Sequence, residues 1–313
     1  MRNKCLYCYD DLEGETDYHP TCSLAFFGAK QAPKLDYSLG QMSELAKKVV
    51  ERSVSVPGVQ PKLSMTLVDK VKDEGDFRLT VVGALGGNYI FKPPSSEYPE
   101  MPQNEHVTMS IAESFGIRTV PSSLIRLSSG ELSYITKRVD RTENGRKIHM
   151  LDMFQITEAF DKYKSSMEKV GRAIGNHSAN TFLDKVFFFE LSLFSFLTGN
   201  NDMHLKNFSM LKSASGWLLA PAYDLLNVSI VNREDKEELA LTLLGKKSKL
   251  QRTHFEQLGV RLELSERQIS GVFDRFDKKK VDAIAWVHRS FLSTKMKSDY
   301  LTLLDERYDR MYG

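Results

Sequence analysis

The stretch Gly199-Asn200-Asn201-Asp202-Met203-His204-Leu205-Lys206-Asn207-Phe208 places an aspartate five residues before an asparagine, on a polar segment that follows an almost continuously apolar run. A carboxylate at Asp202 can accept the hydrogen of a substrate hydroxyl, and the amide oxygen of Asn207 can ligate a cation. Phosphoryl transfer needs that division of labour. Taken alone, the same residues equally describe a helix stop at Gly199 followed by solvated turn residues. What separates the two is the presence of partners. Asp224, in Ala222-Tyr223-Asp224, lies 17 residues past Asn207. It follows two short apolar runs, 208–211 and 217–219, which predict a hairpin turning at 213–216. A second carboxylate delivered there would be a Mg²⁺ ligand. Lys92 closes the apolar run 88–92, and Glu105 falls in the first turn of a helix predicted over 103–115. Such a Lys and Glu together would hold nucleotide phosphates. Glu105 reads otherwise as a favourable charge at a helix N-terminus.

Positioning these groups requires strands on one side and helices on the other. A helix is predicted from Ser38 or Met42 to Arg52, and strands over 63–67, 77–82, 88–92, 122–127 and 131–139, with turns at 72–76, 83–87 and 128–130. Residues 26–37 read as a connector. The loop Ser53-Val54-Ser55-Val56-Pro57-Gly58-Val59-Gln60-Pro61-Lys62 opens onto the first strand, where backbone N–H groups can cover phosphates. With one glycine it matches neither glycine-rich phosphate pattern, and an ordinary helix-to-strand connection fits it as well.

From Met150 onward the pattern turns helical. In 180–197, Phe182, Val186, Phe189, Leu193 and Phe196 recur at helical spacing while Phe187, Phe188, Leu191 and Phe194 fill the flanks, which predicts a helix buried nearly all round. The chain from about Asp235 onward is predicted helical, with Ile269, Val272, Phe273 and Phe276 as one core face. The expected fold class is α+β and kinase-like, with a small antiparallel β lobe holding one helix and a larger, mainly α-helical lobe. The expected division is 1–37 as a Cys/His segment and connector, 38–140 as a β-rich nucleotide-binding lobe, and 141–313 as a helical catalytic lobe.

Cys5-x-x-Cys8 and His19-x-x-Cys22 offer three thiolates and an imidazole, the ligand set of a closed tetrahedral zinc site. Four protein ligands would make that zinc structural; the same cysteines read otherwise as reduced or buried thiols. All three cysteines fall within the first 22 residues, so disulfides do not staple the fold and a cytoplasmic location fits. At 313 residues, 41% hydrophobic and 27% charged, the chain is globular and long enough for two packed units. A net charge of +2 gives no ground for a nucleic-acid or membrane partner. The apolar run 186–197 contains Glu190 and follows Asp184 and Lys185, which suits a core helix and not a membrane span.

Together these elements resemble the HipA-like serine/threonine kinases of bacterial toxin–antitoxin systems over residues 40–313. The most specific pieces are Asp202-Met203-His204-Leu205-Lys206-Asn207-Phe208, Ala222-Tyr223-Asp224 and Ser55-Val56-Pro57-Gly58-Val59-Gln60-Pro61-Lys62. The short length and the paired Ser53-x-Ser55 are similar to the compact HipT type. The resemblance implies ATP and Mg²⁺ as cofactors, Asp202 as catalytic base, Asn207 and Asp224 as Mg²⁺ ligands, and Lys92 as the phosphate-binding lysine with Glu105 beside it. It also implies Lys137 and Val139 as backbone contacts to adenine, with His204, Gln60, Lys62 and Tyr223 at the nucleotide. Autophosphorylation at Ser53 or Ser55 would lower activity.

The implied substrate is a protein serine or threonine, on an aminoacyl-tRNA synthetase, with translation inhibited as the result. The implied partners are a DNA-binding HipB-like antitoxin and a small HipS-like protein, with no direct nucleic-acid binding and no membrane. The Cys5/Cys8/His19/Cys22 cluster departs from that pattern and reads as a docking module or a staple at the lobe edge. A small-molecule kinase, or a nucleotide-binding regulatory module without turnover, would share the same nucleotide residues.

Overall fold

The computed structural model describes residues 3–52, 62–69, 77–82, 86–142 and 144–313. Ser53, Ser55, Gln60 and the turn expected at 72–76 lie outside them. The chain forms two compact units, the first comprising Met1–His106, Val120–Arg146 and Arg289–Phe291, the second Val107–Thr119, Lys147–His288 and Leu292–Gly313.

In the first unit, α1 (Pro20–Phe27) and α2 (Leu39–Arg52) precede β1 (Leu63–Asp69), β2 (Phe77–Val82) and β3 (Tyr89–Lys92). α3 (Met101–Ser114), which belongs to the first unit up to His106 and to the second from Val107, then leads to β4 (Ser122–Arg126) and β5 (Leu132–Lys137). The strands pair antiparallel in the order β2-β1-β3-β5-β4, with Leu63 opposite Phe91, Phe91 opposite Ile135 and Leu124 opposite Tyr134. Alternation along β1 buries Leu63 and Met65. Gly87 sits at φ +76°, where a Cβ would come within 2.3 Å of the Met65 carbonyl oxygen, so the turn into β3 requires glycine. α1 was not legible as a helix, and its last two residues fall in the expected connector. Proline in its first turn and Gly28 at φ 80° after its end are the local signals for it.

In the second unit, β6 (Met150–Asp152) runs into α4 (Met153–Ile156), then α5 (Met167–His177) and α6 (Thr181–Leu197). A 3-10 turn at Leu205–Asn207 precedes the hairpin β7 (Ser209–Ser213) and β8 (Gly216–Leu219). The helices α7 (Arg252–Arg261), α8 (Glu266–Lys278), α9 (Lys280–Arg289) and α10 (Thr294–Tyr312) complete the chain.

Three expectations need correction here. Residues 150–152 are extended, not helical, because β7 satisfies their backbone, with Met150 opposite Leu211; Asp152 then caps α4 reciprocally with Gln155. The span 235–251 is not helical either. Leu244 and Gly245 both take positive φ, and the Leu243 and Lys246 backbones bond each other across that turn at 2.7 and 3.0 Å, a geometry no helix can contain. Finally, α6 is not buried at its start: Phe182 is 60% exposed and Leu183 56%. From Phe187 to Leu197 every residue is buried. Around that stretch Phe194 meets Phe115, Phe188 meets Phe208 and Phe196 meets Phe255, with ring centroids 5.2–5.5 Å apart.

Candidate active site

α6 ends where the loop begins. Thr198 bonds back to the Phe194 carbonyl, Gly199 turns at φ 69°, and the Asn200 amide donates to the Ser195 carbonyl at 2.8 Å. Ser229 then clamps the Gly199 carbonyl through both its amide (3.1 Å) and its hydroxyl (3.0 Å). Asn201 is tied to the Asp235 carboxylate at 3.1 Å and to the Glu237 carbonyl at 3.0 Å. The loop carrying Asp202 is therefore held from both sides. Within it, the His204 amide donates to the Asp202 carbonyl (2.8 Å) and the Asn207 amide to the His204 carbonyl (2.9 Å).

Asp224 reaches the same place from the β7–β8 hairpin. Its φ of +58° is a left-handed conformation that costs a non-glycine residue about 1–3 kcal/mol, and the surrounding structure must impose it. The Asn207 amide nitrogen lies 3.5 Å from the Asp224 carboxylate, and the Asn200 amide nitrogen 3.5 Å from the Asp224 carbonyl. Asn207 can offer an amide oxygen and Asp224 a carboxylate, the hard-oxygen ligands that Mg²⁺ takes. Burial raises the Asp202 carboxyl above the ordinary carboxylate range; Asp224 and Asp235 push the same way, while Tyr163 and Lys162 oppose. A carboxyl shifted upward is a stronger base in its ionised form.

In the first unit Lys92 Nζ and Glu105 Oε1 stand 2.6 Å apart, 5% and 1% exposed as residues. β3 supplies the lysine and the first turns of α3 the glutamate. The Lys92 ammonium also lies 5.4 Å from the centre of the Tyr134 ring. Breaking such a buried pair costs about 3–5 kcal/mol, so the lysine is fixed in place.

A model of the HipA-like C-terminal domain matches residues 54–284. The chain belongs to that family. Among curated relatives, "Putative kinase Y4dM" of Sinorhizobium fredii is 32% identical over 69% of this chain and 55% of its own length. The serine/threonine-protein kinase toxin HipA of Shewanella oneidensis is 24% identical over 61% of this chain and 46% of its own length. The chain thus spans about half the length of these relatives. The solved complex of Shewanella oneidensis HipA with HipB and its operator DNA matches in fold, with a TM-score of 0.67 at 19% identity, covering 85% of this chain and 70% of that one.

The remaining residues singled out in this HipA-like chain fall as follows. Lys62 is exposed just before β1. Lys137 ends β5, its amide donating to the Pro121 carbonyl at 3.0 Å and its ammonium 5.8 Å from the centre of the Phe26 ring. Val139 is half-buried in the turn that follows. His204 is buried beneath Tyr163, their ring centroids 5.1 Å apart. The Tyr223 hydroxyl meets Ser209 at 2.5 Å and donates to the Lys206 carbonyl at 3.0 Å, which braces the backbone between Asp202 and Asn207.

Two contributors were not legible in the sequence. Tyr163 donates to Asp202 from 39 residues away, and nothing in the local pattern marks it. Asp184, on the buried side of α6, accepts from Ser178 at 2.6 Å and from the Leu219 amide at 2.7 Å, tying the hairpin to the helix. An acidic residue just ahead of an apolar run was the available signal.

The ligand atoms of Cys5, Cys8, His19 and Cys22 all lie within 4.8 Å of one another. His19 Nδ1 is 3.5 Å from Cys8 Sγ and 3.8 Å from Cys22 Sγ, against roughly 3.5 Å for nitrogen and sulfur ligands on one tetrahedral zinc. Its other ring nitrogen, Nε2, lies 3.1 Å from the Asp11 carbonyl oxygen, an outer contact that leaves Nδ1 free to face the thiols. This cluster could hold a zinc ion.

Proposed function

We propose that the chain is a Mg²⁺- and ATP-dependent serine/threonine phosphotransferase. The observation that carries this reading is the convergence of Asp202, Asn207 and Asp224 at the end of the buried α6, with Asp224 in a conformation the fold must enforce. Asp202 orients the acceptor hydroxyl and takes its proton. Asn207 and Asp224 hold Mg²⁺, whose charge offsets that of the ATP phosphates. Lys92, fixed by Glu105, adds a cation for the same phosphates; Lys137 and Val139 would meet adenine through their backbone, and Gln60, Lys62, His204 and Tyr223 complete the nucleotide contacts.

Membership of the HipA-like family, with a toxin kinase among the relatives, supports a protein substrate. An aminoacyl-tRNA synthetase is the proposed target. The relative solved with HipB and operator DNA supports a DNA-binding antitoxin partner, and a small HipS-like protein would be a second. The proposed regulation is autophosphorylation at Ser53 or Ser55, where each phosphate adds about −1.5 to −2 charge beside the nucleotide phosphates and lowers activity. The Cys/His cluster is proposed to bind zinc in a structural role.

The test incubates dephosphorylated protein with Mg²⁺ and ATP, alongside Asp224→Ala, and maps phosphate by mass spectrometry. Phosphate on the peptide carrying Ser53 and Ser55 in the unmutated protein alone is the expected result. Equal labelling of both proteins would remove Asp224 from the mechanism.

A further inference from the structure

The loop 157–165, between α4 and α5, lies against the catalytic loop. The Leu205 amide donates to the Lys162 carbonyl at 3.2 Å, and the Tyr163 amide is held by the Asp161 carboxylate at 2.9 Å. From this loop the Tyr163 hydroxyl donates to Asp202 Oδ1 at 2.7 Å, its ring edge-on to His204. A base that serves an acceptor hydroxyl must find it at about 2.6–3.2 Å. Tyr163 already stands there. Among the described residues it is the side chain that donates to this carboxylate, and at 40% exposed it occupies the water-facing side from which an acceptor would arrive.

We propose that Tyr163 is a placeholder for the acceptor: its hydroxyl fills the acceptor's position on Asp202 and must be displaced before an acceptor can react. The proposal rests on the phosphotransferase reading above. A role as an obligatory support for Asp202 fits less well, because the tyrosine sits on an exposed loop and its hydroxyl competes for the oxygen the acceptor needs. Burial, and after it the bond to Asp202, holds the phenol well above its ordinary range, so the group resting on Asp202 is the neutral hydroxyl. Release is feasible because what is seen to hold the side chain is ring packing against His204 and the hydrogen bond to Asp202.

Water is the simplest acceptor with which to test this. In ATP hydrolysis the water oxygen bonds the γ-phosphorus, the bond to the β–γ bridging oxygen breaks, ADP leaves and the water proton passes to Asp202. With the full chain, saturating Mg²⁺-ATP and no added protein, ADP release is measured for the unmutated protein, Tyr163→Phe, Asp202→Asn and the double variant. Tyr163→Phe keeps the ring against His204 and removes only the hydroxyl. It should raise turnover about tenfold, the scale of one hydrogen bond to a charged group. The KM for ATP should stay unchanged, because the contact is on the acceptor side, and adding Asp202→Asn should silence the gain.

Turnover by Tyr163→Phe equal to or below that of the unmutated protein overturns the placeholder while leaving the kinase reading standing, provided that Asp202→Asn is inactive. Phosphate appearing on Tyr163 itself also overturns it, since the residue would then be an acceptor. Turnover undiminished in Asp202→Asn, or absent from every variant, removes the phosphotransferase reading and the placeholder with it.

Discussion

Tyr9 and His106 share a hydrogen bond of 2.6 Å inside the first unit, with the Phe291 ring 5.2 Å from that of Tyr9. Burial lowers the His106 pKa to about 4, with a backbone contact at Ser122 opposing it weakly. The unfolded chain would titrate this histidine at about 6.5. A folded-state pKa below the unfolded one means that the native protein holds fewer protons in between, so stability is complete above about 6.5 and falls as pH drops towards about 4. Between pH 7 and pH 5 this group should cost about 2 kcal/mol. Urea unfolding at the two pH values should show the loss in the unmutated protein and a smaller loss in His106→Gln. At this scale the sequence was partly legible. Asp202, Asn207 and Asp224 could be found because their spacing along the chain reflects the chemistry they would share. Tyr163 and His106 could not, because each acts through a partner distant in sequence: Asp202, 39 positions away, and Tyr9, 97 positions away.

The element that matters most to the site is α6, and the position to test is Gly199, two residues past its end. At φ +69° an added Cβ would lie 2.6 Å from Asn227 Oδ1 and 3.0 Å from Leu303. Asn227 cannot easily yield, since the same oxygen accepts from the Ile230 amide at 3.3 Å. Gly199→Ala should therefore carry the left-handed backbone cost of about 1–2 kcal/mol and a steric cost in addition. Gly28→Ala is the control: its φ of +80° is similar, but nothing lies within 4 Å of the added carbon. Denaturant midpoints should fall for both, with Gly199→Ala lower by about a further 1–2 kcal/mol; equal losses would show that the loop repacks freely. Elements were legible where local pattern and tertiary role agree, as in 187–197 and the β7–β8 hairpin. They were illegible where partners decide. Three residues of β6 are extended because β7 lies beside them, and 235–251 follows the turn at Leu244 and Gly245 in place of a helical period.

For the molecule as a whole, the family match begins at residue 54, yet the Cys/His segment before it is built into the first unit. The Leu124 amide donates to the Leu6 carbonyl at 3.2 Å, the Tyr18 hydroxyl donates to the Leu124 carbonyl, and Arg126 pairs with Asp17 at 3.0 Å. Phe26 and Phe27 set their rings 5.9 and 6.2 Å from that of Tyr89 on β3. Residues 3–19 contain no helix and one isolated bridge, Lys4 to Asp11, so a bound metal would supply much of what orders them. Stripping zinc with a chelator should then expose β3, β4 and β5 while α6, in the other unit with its own aromatic core, keeps its protection. Hydrogen exchange followed peptide by peptide reads this directly, and Cys8→Ser and Cys22→Ser should reproduce it without chelator. Metal analysis finding no zinc in the purified protein, or exchange in β4 unchanged after chelation, would mean that the contacts around Leu6, Asp17 and Tyr18 suffice to hold the segment. Loss of protection in β4 would make the N-terminal segment part of the working unit, and a chain beginning at the family match would then lack the support under the strand that pairs with β5.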